Sequence, residues 1–168
     1  MLIRKLDIKY AARMLEWMKT HDIASVFLHD FSKKTLKDCI EFITKCENDK
    51  DSAHFAVCDD NDNYMGTVSL KDIDKTNKKA EYAIVLHPDA IGKGYADFAT
   101  NYILEYAFEN AGLNRVFLNV LSENIRACKF YEKKGFVFEG EWRDAVFHKG
   151  CFKNLKWYSV LKKDYVHE

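Results

Sequence analysis

Net charge is the first thing this sequence lacks: 26 lysines and arginines balance 26 aspartates and glutamates. A neutral chain carries no basic field of the kind that gathers nucleic acid or an anionic membrane, so a discrete ligand is the expected partner. Long apolar runs are missing too. The amino terminus, MLIRKLDIKYAARMLEW, has no uninterrupted apolar core of a signal peptide, and nowhere do about 18 apolar residues follow one another as a membrane span requires. The expectation is a cytoplasmic protein with no membrane partner.

Cysteine is present without a pattern. The five, at 39, 46, 58, 128 and 151, are odd in number and include no C-x-x-C pair, which argues against a disulfide framework or a zinc knuckle and for small reduced hydrophobes. The six histidines form no H-x-x-x-H pair, so no metal is expected. Proline is almost absent, and the single one, Pro88, falls in a loop of interest below.

What the chain does have is apolar content. Its 168 residues are 48% hydrophobic and 14% aromatic, enough for one domain spanning 1–168 to bury a real core. Residues 1–6 read as a short strand. Asp7 suits an N-cap for a helix carrying Ala11, Met14, Leu15 and Met18 at three- and four-residue spacings. Thr35 with Asp38 approximates a capping box for a second helix whose stripe is Leu36, Cys39, Ile40 and Ile43.

The period then changes to two. AHFAVCD (53–59), YMGTVSLKDID (64–74) and AEYAIVL (80–86), parted by the polar turns DNDN and TNKK, read as an antiparallel meander. A helix follows over about 95–110, stopped by Gly112. RVFLNV is a strand, NIRACKFYEKKG a short helix ended by Gly135, and FVFEGEW and KNLKWYSVL two closing strands. The fold class is therefore α+β, in the order β-α-α-β-β-β-α-β-α-β-β.

The loop HPDAIGKGYA carries the chain from the fourth strand into the helix. Pro88 holds His87 extended, while Gly92 and Gly94 remove side chains where backbone N–H groups could converge on an anion at the positive end of a helix dipole. A plain strand-to-helix turn explains the same glycines equally well. Neither the G-x-G-x-x-G nor the G-x-x-x-x-G-K-[ST] spacing is present, which speaks against the common dinucleotide and P-loop sites.

AEYAIVLHPDAIGKGYA, followed about thirty residues later by NVLSENIRACKFYEKKGF, resembles the GCN5-related N-acetyltransferase (GNAT) family over nearly the whole chain. The resemblance implies a mixed, mostly antiparallel sheet of about seven strands flanked by about four helices. It implies acetyl-CoA as co-substrate, held at its diphosphate by Ile91, Gly92, Lys93, Gly94, Tyr95 and Ala96. Ile91 departs from the family's R/Q-x-x-G-x-G/A pattern, lacking the guanidinium or amide usual at the first place. The tail from Glu139 is similar to the branch of RimJ/RimL-type, polyamine and nucleotide-amino-sugar acetyltransferases.

Roles carry over residue by residue. Asn124 would bond the pantetheine arm, and Tyr131, three and four places on through Ala127, would protonate the leaving sulfur. Glu81 heads an otherwise apolar strand, where a buried bare carboxylate is costly, and would act as base for an amine that is mostly protonated near neutral pH. A pairing with Lys78 or Lys79 is the structural alternative. Backbone N–H groups near Val85 and Leu86 would polarise the thioester carbonyl.

The expected acceptor is a small-molecule amine, a polyamine or an amino sugar; the alternatives are a protein α-amine and a non-catalytic CoA-binding module. Trp17, Phe27, Phe31 and Trp142 are candidate pocket aromatics, each better explained as core, where an aromatic ring gains most from burial. A polyamine site wants an acidic cluster, and only Glu16, Asp22 and Asp30 are at hand; Lys33, Lys34, Arg143 and Lys149 are compatible with a nucleotide sugar without being diagnostic of one. Family members often pair as homodimers, an expectation carried over with the resemblance.

Overall fold

A computed structural model describes residues 1–19, 31 and 33–165. Seven strands form one sheet in the order β1-β2-β3-β4-β5-β7-β6. They are β1 (Leu2–Lys5), β2 (Ala53–Cys58), β3 (Tyr64–Asp74), β4 (Lys79–Leu86), β5 (Arg115–Leu121), β6 (Val137–His148) and β7 (Cys151–Leu161). Among the described residues four helices flank it: α1 (Ala11–Met18), α2 (Leu36–Asn48), α3 (Tyr95–Glu105) and α4 (Ile125–Lys133). The element order and the mostly antiparallel sheet agree with the sequence reading. All neighbours pair antiparallel except β4 and β5.

Local chemistry explains most of the boundaries. Thr35 and Asp38 form a complete capping box at α2: the Thr35 hydroxyl accepts from the Asp38 N–H at 3.3 Å and the Asp38 carboxylate accepts from the Thr35 N–H at 2.7 Å. Asp7 caps a single 3-10 turn, Ile8–Tyr10, that leads into α1 and does not cap α1 itself. The helix expected over 95–110 is α only to Glu105; Tyr106–Asn110 widens into a π turn, with the Ala111 N–H donating to the Tyr106 carbonyl at 2.8 Å. That wider turn seats Ala107 and Phe108 in the core. Strands β6 and β7 are longer than expected and run through the segment 143–152.

The alternation along β4 divides the core in two. Tyr82, Ile84 and Leu86 join the cluster under α3 and α4, with Val68, Leu70, Ala99, Ile103, Leu118 and Tyr158. Val85 faces the other cluster, built on α1 and α2 from Tyr10, Met14, Trp17, Cys39, Ile43, Ala56 and Tyr64. Burying apolar side chains on both faces, at ~25 cal/mol per Å² removed from water, is what fixes the register, because a one-residue slip would exchange the faces. Of the cysteines, Cys39, Cys58 and Cys128 are buried as expected and Cys151 is exposed.

Candidate active site

Strands β4 and β5 share only three rungs, Lys79 with Arg115, Ala80 with Val116 and Glu81 with Phe117. Beyond Glu81 they part. The edge of β4 from Tyr82 to Leu86 keeps its pairing to β3 but has none to β5. The His87 N–H donates to the Met65 carbonyl on β3 at 2.7 Å. Because N–H directions alternate along a strand, the Val85 N–H also faces β3, while those of Ile84 and Leu86 face the gap. Of the two backbone donors expected from sequence, Leu86 is therefore aimed into the gap and Val85 is not.

Glu81 stands at the fork, its side chain 22% exposed and on the α1/α2 face of the sheet. One carboxylate oxygen accepts from the Asn119 amide of β5 at 3.2 Å and the other lies 3.1 Å from the Lys71 ammonium of β3. Lys78 and Lys79 are not its partners. The register explains why. Counting back from the rung Asp74 to Lys79, an unbroken ladder would set Asp72 opposite Glu81, one carboxylate against another. A bulge intervenes, with Asp72 at φ 50°, and brings Lys71 opposite instead.

Tyr131 approaches the fork from the opposite face. Its ring is held edge-on against Tyr82, the first residue of β4 beyond the shared rungs, with centroids 6.0 Å apart, and against Phe136 at 5.8 Å. Its hydroxyl makes no hydrogen bond among the described residues. Burial pushes the phenol up to about 12, so the proton stays on at neutral pH. Asn124 is the N-cap of α4 and not part of its helical face: its carbonyl oxygen accepts from the Ala127 N–H at 3.2 Å, which leaves the amide N–H2 as its free function.

The loop after β4 begins with a 3-10 turn, Pro88–Ala90, and Ile91 follows it half-exposed. Gly92 and Gly94 take φ of 77° and 84°, the left-handed region, and Gly94 is the N-cap of α3 with no side-chain cap. Nothing lies within 4 Å of where a Gly92 Cβ would be. Lys93 and Gly94 lead directly into Tyr95 and Ala96, the first turn of α3. This loop is tied to α1: Arg13 meets Asp89 at 2.5 Å and Glu16 at 2.7 Å, and the buried His87 ring accepts from the Asp89 N–H at 3.1 Å.

Residues 1–137 match the family model described as an acetyltransferase (GNAT) domain. The chain belongs to the GNAT family. A spermidine N(1)-acetyltransferase of Vibrio cholerae is 32% identical over 126 residues, 75% of this chain and 73% of that protein. The spermidine N(1)-acetyltransferase of Escherichia coli K12 is 29% identical over 99% of this chain and 87% of its own length. The solved structure of the Vibrio cholerae spermidine N-acetyltransferase in complex with CoA and spermine superposes with a TM-score of 0.89 at 27% identity, covering 97% of this chain and 96% of that one. This GNAT chain is accordingly an acetyltransferase, and it shares the fold of that solved structure.

Among the candidate pocket aromatics, Trp17 is a core residue of the GNAT domain, 3% exposed and packed on Phe31. Phe27, Asp22 and Asp30 lie outside the described residues. Trp142 is 59% exposed. Lys71, Asn119 and the Arg13–Asp89 pair were missed by sequence reasoning. No helix among the described residues is long and apolar enough to cross a membrane.

Proposed function

We propose that this GNAT acetyltransferase moves an acetyl group from acetyl-CoA to a small-molecule amine, of the polyamine class, by direct attack of the amine on the thioester. The observation that carries the reading is the pair Glu81 and Tyr131, set on opposite faces of the sheet at the one place where β4 leaves β5. A base on one side and an acid on the other suit transfer through a gap between two strands.

The residues present fit acetyl-CoA. Two left-handed glycines at the start of α3, with open space over Gly92, suit a diphosphate; the unpaired edge of β4 suits the amide-bearing arm; the free Asn124 N–H2 lies ahead of α4. Ile91 adds no polar group there, and the support for the loop rests on its backbone. When bound, acetyl-CoA supplies an activated acetyl thioester.

The chain's own residues do the rest. Glu81 takes the proton from the acceptor nitrogen, directly or through water, held in place by Asn119 and Lys71. The Leu86 N–H donates to the carbonyl oxygen as it gains charge. Tyr131 gives its proton to the departing sulfur as the carbon–sulfur bond breaks and the carbon–nitrogen bond forms; a thiol of pKa ~8.5 is a tolerable leaving group, so this acid assists without being indispensable.

The polyamine class is supported by the spermidine N-acetyltransferases to which the chain is similar. The test is thiol release from acetyl-CoA with spermidine, an amino sugar and a peptide with a free N-terminus, beside calorimetric cofactor binding. Spermidine is expected to give the highest kcat/KM. A preference for the peptide overturns the polyamine reading, and cofactor binding with no amine-dependent thiol release identifies a non-catalytic module.

A further inference from the structure

Among the described residues, every buried residue of the cluster on the sheet face that carries Glu81 comes from α1, α2, the turn before α1, and strands β2 and β3 with the residue after β1, and Val85 of β4 packs against its edge. On the remaining strands the same face carries aromatic rings. Phe117 is the rung partner of Glu81; Asn119, which bonds Glu81, is the rung partner of Trp157 on β7. The Phe117 and Trp157 rings are 6.2 Å apart, and Trp142 of β6 lies 4.5 Å from Trp157. A continuous file of Glu81, Asn119, Trp157 and Trp142 thus crosses the sheet from the proposed base to the β6–β7 hairpin. From Asn119 to Trp142 is two strand spacings, about 10 Å.

The far end of this file opens on a cleft of about 860 Å³ lined by Trp142, Arg143, Asp144, Ala145 and Asn154. Among the described residues two cations along the way are neutralised, Lys71 by Glu81 and Arg115 by Glu139 at 2.6 and 2.5 Å, while Arg143 in the cleft itself forms no ion pair. Asp144 forms no ion pair there, and its own N–H is held by the Asn154 side chain at 2.9 Å, which fixes the strand at that point. Among the described residues the buried Trp157 indole N–H has no hydrogen-bond partner, a cost a phenyl ring would not carry. Indole is also the strongest of the aromatic faces for a cation.

We infer that Trp142, Trp157 and Asp144 set acceptor specificity, the reacting amine lying at Glu81 and a second, positively charged end of the same molecule resting on the Trp142 indole beside the Asp144 carboxylate. This deepens the acetyl-transfer reading above and rests on it. A short monoamine cannot span from Glu81 to Trp142, so the wall selects for acceptors with two amines separated by an alkyl chain. The chain packs on the Trp157 ring and the distal ammonium makes the cation–π contact.

The test compares spermidine with n-propylamine on the full chain. Trp142→Ala is expected to lower the ratio of their kcat/KM values by roughly 3- to 30-fold, the span of one cation–π contact, with Trp142→Phe intermediate and Asp144→Asn lowering the same ratio. Arg143→Ala, which removes the one opposing cation in the cleft, is expected to raise it. A ratio untouched by Trp142→Ala overturns the wall. So does a fall in the ratio with Arg143→Ala, which would mark an anionic acceptor. So does a change in oligomeric state by light scattering with the ratio unchanged, which would make Trp142 a contact between copies. Wild-type protein that binds acetyl-CoA yet releases no thiol with either amine refutes the acetyl-transfer reading itself, and the wall with it.

Discussion

Two residues past the last rung that β4 and β5 share, the Asn119 amide donates across the widening gap to the Glu81 carboxylate at 3.2 Å. The bond spends one oxygen of Glu81 on position and leaves its other oxygen to Lys71, a side chain that is 41% exposed and free to yield to an incoming ammonium. Glu81→Gln keeps an acceptor for Asn119 and removes the base. The expected result is a rate at neutral pH about 100-fold lower, the low end of what a general base contributes, that recovers toward wild type as pH rises and the free amine becomes abundant. Rate against pH for both proteins checks it; overlaid profiles would assign the proton to water or to another group.

Gly94→Val tests the loop. At φ 84° a β-branched residue is strained whatever room it has, and its backbone is the N-cap of α3. Both effects act on the N–H groups proposed to hold the diphosphate, so affinity for CoA is expected to fall at least tenfold, about 1.4 kcal/mol. Calorimetric titration of the folded variant reads this directly, and an unchanged Kd would move the cofactor elsewhere.

How much of this was legible beforehand follows from the range over which each feature is decided. The capping box at Thr35, the meander and the face alternation of β4 depend on residues a few places apart, and the sequence reading has them right. The fork does not. It depends on where β4 and β5 part, and those strands are separated by the loop, α3 and its π turn. Lys71 illustrates the same limit at closer quarters: the hairpin was readable, but the bulge at Asp72 that replaces a carboxylate with an ammonium opposite Glu81 is a one-residue shift inside a run of ordinary strand residues. Asn124 was identified with its motif, but its use as an N-cap only shows once α4 has a defined first turn.

Buried tyrosines set the alkaline limit of stability. Burial raises the phenols of Tyr82 and Tyr131, the latter to about 12, against 10 in the unfolded chain. Below pH 10 both states hold the protons and stability is independent of them. Between pH 10 and about 12 the unfolded chain releases protons that the folded chain keeps, so unfolding is favoured increasingly as pH rises, by up to ~1.4 kcal/mol per pH unit for each such tyrosine. Denaturant midpoints measured across this range are expected to fall, and Tyr131→Phe to flatten the fall. A midpoint as steady from pH 10 to 12 as below it would show that these rings are solvated.

The same substitution decides the role of Tyr131 in the reaction. Had the hydroxyl been a core hydrogen-bonding group, its loss would cost ~1 kcal/mol and several degrees of Tm. Instead it bonds to nothing among the described residues, while the ring packs on Tyr82, Phe130, Phe136 and Tyr158. Tyr131→Phe keeps every one of those ring contacts and deletes only the proton. Near neutral pH, Tm and CoA affinity are therefore expected to stay level while kcat falls about 10- to 1,000-fold, a range that reaches from partial to ordinary general-acid assistance because the thiolate is already a fair leaving group. The fall should be smaller for a thioester whose thiol has a lower pKa, since that sulfur needs the proton less. Turnover per folded molecule, measured with both thioesters on the preparation used for melting, separates an acid from a spacer: unimpaired turnover would remove Tyr131 from the mechanism.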